Sequence, residues 1–199
     1  MVFYIAYGKI ISNRCTVPIV NTSMISNTDI SFLDNKISID GIYGTIKAGK
    51  ISYNIKSSMI GTFNAENILC ATAVSKVMGI NKKAIEDGIS LCNTIPGRME
   101  TFSLYSGATA IVDYAHTPDA YTKVLSTIKE LMIDSEANIY VVFGCGGNRD
   151  KSKRSIMGAI VEQFATHSFI TPDNPRNEKI SVINQEIINE FKKNNFDVF

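Results

Sequence analysis

The sequence predicts an α/β protein with a β-rich opening and a second half built as a Rossmann-like, mostly parallel sheet. Three observations carry this. From Met99 onward, strand-like and helix-like stretches alternate, the order that a parallel sheet with right-handed crossovers requires. Residues 139–143, IYVVF, are apolar and mostly β-branched or aromatic, the pattern of a strand buried on both faces. Directly after them come Gly144, Gly146 and Gly147, then Arg149, Asp150, Lys151, Lys153 and Arg154, where a new helix starts. Ligands of open α/β sheets sit at the carboxyl ends of strands, and a turn of bare backbone with forked cations suits an anionic group there. A solvated, charged loop accounts for this stretch, taken alone, equally well.

Along the first sixty residues the pattern is β-rich and irregular. A short strand is predicted at 16–20, and two half-buried antiparallel strands at 36–43 and 50–55, where apolar and polar residues alternate. Gly44 to Lys50 fits the first seven positions of a phosphate-binding P-loop, but Ile51 stands where the magnesium-binding hydroxyl belongs and strand alternation resumes at once. Ala48, Gly49 and Lys50 therefore read as a hairpin turn. Residues 64–78 have helical spacing, with Thr62 or Asn64 to cap them and Gly79 to end them, and a second helix is predicted at 82–91. Asn64 and Asn67 lie three apart, so both amides point the same way. An amide can serve a base edge such as adenine, although helix capping explains the spacing as well.

Pro96, Gly97 and Arg98 mark a turn and a domain boundary. Strands are predicted at 99–105 and 109–114, joined at Ser106 and Gly107. A helix at 117–132 opens on Thr117 and Pro118, a cap residue followed by proline at the first helical position. After the strand at 139–143 come a helix at 152–165, a short strand at 168–171, a helix at 181–193 and a last strand from Phe196. Polar clusters follow three strands: Asp113 to His116, Gly144 to Arg154, and Asp173 to Arg176. The fold rule brings all three to one crevice, with the strands adjacent or nearly so. An Asp there suits a ribose diol, His116 a phosphate or a neighbour to be oriented, and Arg149 with Arg176 one carboxylate. The residues thus point to a nucleotide and an anionic small molecule.

The composition narrows the class. With 199 residues, 45% hydrophobic, 20% charged and a net charge of +1, the chain can bury a core and form one or two domains. Near-neutrality gives no support for nucleic-acid or membrane attraction. Cys15, Cys70, Cys92 and Cys145 are scattered without a C-x-x-C pair, which fits reduced thiols in the cytoplasm. No signal peptide or bilayer-length apolar run is evident.

Several motifs occur together in an order and spacing that resembles the Mur ligases: Gly61-Thr-Phe-Asn64-Ala-Glu-Asn67, Gly97-Arg98-Met99-Glu100, Val112-Asp-Tyr-Ala-His-Thr-Pro118, Phe143-Gly-Cys-Gly-Gly147 with Arg149, Asp150, Lys153 and Arg154, and Asp173-Asn174-Pro175-Arg176. The resemblance covers about residues 59–190 and is far more specific than any single glycine pattern. The Asp173 to Arg176 run looks like that of the members that add meso-diaminopimelate. The resemblance implies an ATP- and Mg2+-dependent, amide-bond-forming ligase of peptidoglycan precursor synthesis. ATP would activate a UDP-MurNAc dipeptide as an acyl phosphate, and the diaminopimelate amine would attack it.

By this likeness Asn64 and Asn67 would hold adenine, Arg98 the ATP phosphates and Asp113 the ribose, with His116 nearby. Arg149, Asn174 and Arg176 would bind diaminopimelate, with Asp173 and Pro175 shaping the turn. Residues 1–97 resemble the tail of the central ATP-binding domain and 98–199 a truncated C-terminal domain. The family's UDP-binding domain, P-loop, magnesium ligands and carbamylated lysine have no counterpart here, nor has the stretch that completes the diaminopimelate pocket. No catalytic or metal-binding residue is therefore assigned, and the chain alone is expected to be inactive as a ligase. The alternatives are a folylpolyglutamate synthase-like ligase and a non-catalytic remnant of a truncated gene.

Overall fold

The computed structural model describes residues 2–4, 15–25, 28–132 and 136–199. They form two compact units, Met1–Asp113 and Tyr114–Phe199.

In the first unit a five-stranded sheet runs in the order β1 (Val2–Tyr4), β2 (Val20–Ser23), β3 (Ile30–Ser38), β4 (Gly41–Ala48), β5 (Ile51–Ser57). The first three strands are parallel and the last two join as antiparallel hairpins. Ala48 pairs with Ile51 across Gly49 and Lys50, so the P-loop-like stretch lies in a strand and its hairpin turn, with Gly49 at φ 68°. The predicted strand at 36–43 is in fact two strands. Ile39 and Asp40 turn the chain, and Ser38 pairs with Gly41. Alternation runs unbroken through so tight a turn and hides it, although the Asp40-Gly41 pair was itself a hairpin signal. A side chain at Gly41 would meet the Ser57 carbonyl at 2.1 Å. The short strand predicted at 16–20 begins only at Val20.

Helices α1 (Thr62–Val77) and α2 (Lys82–Leu91) follow. Asn81 caps α2 through a 2.9 Å bond from the Ala84 amide. Ile68, Leu69 and Ala73 of α1 and Ile85 of α2 join Phe32, Ile42, Ile46, Tyr53 and Ile55 of the sheet in one core. β6 (Glu100–Ser103) and β7 (Thr109–Val112) then form a two-stranded antiparallel sheet. Here the strand expectation needs correction. β7 pairs with β6, across the turn at Ser106 and Gly107, and among the described strands with no other. A connection of five residues makes local hairpin pairing far less costly in entropy than pairing with a distant strand.

The second unit alternates α3 (Pro118–Leu131), β8 (Tyr140–Phe143), α4 (Ser152–Phe164), β9 (His167–Ile170), α5 (Ile180–Ile188) and β10 (Phe196–Val198). Its three strands are all parallel, in the order β10-β9-β8. Thr117 caps α3 by accepting from the Ala120 amide, as the Thr-Pro start predicted. Register puts Val141, Phe143, Ser168 and Ile170 on one face. Of these, Val141, Phe143 and Ile170 pack under Tyr121 and Leu125 of α3, Met157 and Val161 of α4, and Ile183 and Ile187 of α5. On the opposite face Tyr140 and Val142 are exposed, and the rings of Tyr140, Phe169 and Phe199 lie side by side. α5 ends five residues earlier than predicted. Glu162 of α4 accepts from the amides of Lys192 and Lys193 at 2.6 Å and holds that stretch outside the helix.

No described helix is long and apolar enough to cross a membrane, and all four cysteines are free thiols.

Candidate functional site

The main site is built from the loops that follow β8 and β9. The Thr171 amide donates to the Phe143 carbonyl at 2.9 Å, carrying the strand pairing one step past β8. The loops then close on each other. The Gly147 amide donates to the Asn174 carbonyl at 2.8 Å, and Nη1 of Arg176 to the Gly147 carbonyl at 2.6 Å. The Asn177 amide donates to Oδ1 of Asn148 at 3.2 Å. This proximity is why glycine is required. A Cβ at Gly144 would lie 2.1 Å from the Thr171 carbonyl oxygen, and one at Gly147 only 1.8 Å from that of Pro175. Asn148 and Arg176 both adopt left-handed backbone, at φ 50° and 49°.

Beneath the loops lies a buried arginine. Arg154, in the first turn of α4, is fully buried. Its Nη1 and Nη2 bond the two carboxylate oxygens of Glu178 at 3.0 Å each, in the forked geometry that arginine favours. Nη1 also donates to Glu186 at 2.6 Å and Nη2 to the Gly146 carbonyl at 3.0 Å. A buried guanidinium is tolerated when carboxylates and carbonyls surround it in this way. The carboxylates hold Arg154 above its usual range. In return the Arg154 guanidinium, the Asn148 amide and the Lys151 ammonium bring Glu178 down to about 2. Burial pushes the neighbouring Cys145 thiol up, so it stays neutral. The Ser152 hydroxyl and amide bond Asp150 and hold its carboxyl below its usual value.

Arg149, Asp173, Asn174 and Arg176 are exposed around this loop pair, and Pro175 is half-buried. One N–H of Arg176 is committed to Gly147. Arg149 makes no hydrogen bond or ion pair among the described residues. His116 is exposed, with Nδ1 3.0 Å from the Tyr114 carbonyl; a carbonyl only accepts, so the proton is on Nδ1. The His116 carbonyl receives Nζ of Lys153 at 3.0 Å, tying the residues just before α3 to α4. Sequence reasoning assigned no role to Glu178 and counted Arg154 among the cations facing an anionic ligand, whereas Arg154 is buried and paired with Glu178 and Glu186. One signal was present. Arg154 precedes Met157, Gly158 and Val161 by three, four and seven residues, which places it on the buried face of α4.

In the first unit Asn64 and Asn67 do meet, as their spacing predicted, with Nδ2 of Asn67 3.3 Å from Oδ1 of Asn64. Asn64 is buried, and its Nδ2 donates to the Ile60 carbonyl at 2.9 Å, so much of that amide is used inside the protein. Asn67 is exposed, on the wall of an apolar cavity of about 360 Å³ between α1 and α2 that Ile68, Ala71, Ile80, Ile85 and Ile89 also line. Asp113 accepts from the Met99 amide at 2.9 Å, which holds Met99 in left-handed backbone (φ 46°) beside the exposed Arg98. Glu100 accepts from the Gly97 amide at 2.9 Å. Among the described residues no group of three or more His, Cys, Asp or Glu is placed to hold a metal ion.

Fold and site together define a Rossmann-like α/β domain with a clamped, cation-rich loop pair at the carboxyl ends of its parallel strands. A family model, Mur ligase, glutamate ligase domain, matches residues 97–198. The chain belongs to the Mur ligase family. A UDP-N-acetylmuramoyl-L-alanyl-D-glutamate–2,6-diaminopimelate ligase of Geobacter metallireducens is 37% identical over 182 residues, or 92% of this chain and 35% of that protein. A solved structure of a ligase of the same name aligns with a TM-score of 0.61 and 27% identity, over 100% of this chain and 42% of that one. Folylpolyglutamate synthase of Mycobacterium tuberculosis, complexed with ADP, aligns with a TM-score of 0.73 over 94% of this chain and 40% of that one. Its 19% identity shows a shared fold alone. The chain thus spans about a third of the length of the curated relatives it matches.

Proposed function

We propose that this chain is the part of a cytoplasmic, diaminopimelate-adding Mur ligase that receives the incoming amino acid and part of the nucleotide. In this reading residues 1–97 end the central ATP-binding domain, and 98–199 belong to the C-terminal domain. ATP activates the carboxylate of a UDP-MurNAc dipeptide as an acyl phosphate, which the amine of meso-diaminopimelate attacks with loss of phosphate. The observation that carries the reading is the clamped loop pair of the second unit. Its two loops carry Arg149, Asn174, Arg176 and Asp173 exposed, with Nη1 of Arg176 and the Asp173 carboxylate both beside Gly146, a set of groups complementary to a molecule bearing both carboxylates and ammonium groups. The free N–H groups of Arg176 suit a planar two-oxygen contact, and Asn174 can serve ammonium and carboxylate alike. Pro175 stiffens the turn between them. On the nucleotide side Asn67 is assigned to adenine and Arg98 to phosphate, while Asn64 supports Asn67. Asp113 faces the ribose, with His116 near it. The described residues offer magnesium no carboxylate cage, so no step through it is assigned to this chain.

Calorimetric titration of the purified chain with meso-diaminopimelate and with L-lysine tests this. Diaminopimelate is expected to bind and lysine, lacking the second carboxylate, to bind far more weakly. Equal affinity, or none for either, would overturn the reading. With ATP, magnesium, UDP-MurNAc dipeptide and diaminopimelate together, phosphate release is expected to stay at background, because Gly44 to Lys50 forms a hairpin and not a phosphate cradle.

A further inference from the structure

We infer that Glu178 is a positioning residue: its carboxylate sets the turn that carries Arg176 against the glycine loop, and so shapes the amino-acid subsite. The inference deepens the proposed function and rests on it for the identity of the ligand. Four donors from the glycine loop and the start of α4 converge on the two oxygens of Glu178. They are the Asn148 amide, Nζ of Lys151 at 3.0 Å, and both terminal nitrogens of Arg154 at 3.0 Å. The Glu178 amide in turn donates to the Pro175 carbonyl at 3.0 Å, closing a four-residue turn with Arg176 inside it. That Pro175 carbonyl is the group against which Gly147 packs. Glu178 is therefore the point where the backbone of one loop is fastened to the backbone of the other.

A counter-ion for Arg154 would not need this arrangement. Glu186, on α5, already pairs with Arg154 at 2.6 Å and makes no hydrogen bond or ion pair to either loop among the described residues. What Glu178 adds is the bond to the Asn148 amide and its place in the Pro175 turn. Asn148 and Arg176 hold left-handed backbone that side-chain-bearing residues resist, and such conformations persist only where the surroundings over-determine them. With the carboxylate gone, both turns are free to relax, and the Arg176 fork leaves the position it needs to meet a carboxylate.

The test uses the full 199-residue chain. E178Q keeps the size of the side chain and removes its charge. E162Q is a control for stability alone, since Glu162 is buried and bonds the Lys192 and Lys193 amides away from both loops. Amide hydrogen exchange is read at Gly147 and Asn177, and meso-diaminopimelate affinity by calorimetry. E178Q is expected to speed exchange at Gly147 and Asn177 and to weaken binding on the order of tenfold. E162Q should lower the melting temperature but leave both loop amides and affinity near wild type. Unchanged exchange in E178Q, or equal effects of the two variants, would overturn the inference and leave Glu178 a general stabiliser. If E178Q does not fold, E178D, which keeps the charge but is too short to reach both loops, is read in the same way. If wild type binds no diaminopimelate, the functional reading fails, and the positioning role stands or falls on the exchange data.

Discussion

Adding one methyl group at Gly147 is expected to separate the two loops. The new Cβ would lie 1.8 Å from the Pro175 carbonyl oxygen, a backbone atom that cannot swing away. Forced overpacking of this kind typically costs about 1–3 kcal/mol. The shift would also break the Gly147–Asn174 and Arg176–Gly147 bonds, each worth about 1 kcal/mol net. G147A should therefore destabilise the second unit by roughly 3–5 kcal/mol. Two further variants calibrate this figure. At Gly146 the nearest atom is Nη1 of Arg176 at 3.1 Å, the end of a flexible side chain, so G146A should cost under about 1 kcal/mol. At Gly49 nothing lies within 4 Å, but φ is 68°, so G49A should cost the first unit about 1 kcal/mol through backbone strain alone. Urea unfolding followed by circular dichroism, with amide exchange to tell the units apart, checks all three. A slope of about 1–2 kcal/mol per M turns the G147A loss into a midpoint drop of roughly 1 M or more. A wild-type midpoint for G147A, or the same drop for G146A, would refute the close apposition of the loops.

Other outcomes follow from the same contacts. Glu178 has its pKa lowered to about 2 in the folded chain, so its contribution is full above the ordinary carboxylate value and is lost as pH falls through about 2. Wild type should therefore lose melting temperature between about pH 4.5 and pH 2 by an increment that E178Q lacks; parallel profiles would exclude the Arg154 pair as its source. R176A should weaken diaminopimelate binding roughly ten- to hundredfold, through loss of a charge-assisted contact of about 1.5–3 kcal/mol, and leave ATP binding unchanged. R176K should restore only part of it, and an effect on ATP alone would move Arg176 out of the amino-acid subsite. N64A should cost about 1–3 kcal/mol of stability, because it orphans the Ile60 carbonyl inside the first unit. N67A, at an exposed position, should leave the midpoint alone and weaken ATP binding, and a reversal of that split would exchange the roles of the two amides.

What could be read from the chain alone is what neighbouring residues decide. The α2 span Lys82–Leu91 matched the predicted helix at both ends, because a helix of this kind is fixed by neighbouring residues, and the structure adds Asn81 as its cap. Thr117 and Pro118 announced the start of α3 for the same local reason, and the glycines of 144–147 announced a turn at the end of β8. Ile51, with the strand alternation that resumes there, was enough to reject the P-loop. The tertiary structure decided whatever depends on a partner distant in sequence. Alternation says which face a residue takes but not which strand lies beside it, so the turn at Ile39 and Asp40 was not read, and β7, expected near β8, pairs only with β6 among the described strands. α5 stops where Glu162, about thirty residues earlier, accepts the Lys192 and Lys193 amides. Sequence likewise gives the sign of a charge but not its fate. Arg149 and Arg154 stand five residues apart in one basic run, yet the first is exposed and the second is fully buried between Glu178 and Glu186. Only the packing of α4 against α5 and the loop after β9 brings two carboxylates within reach of that guanidinium, and without them a buried positive charge would be too costly to keep.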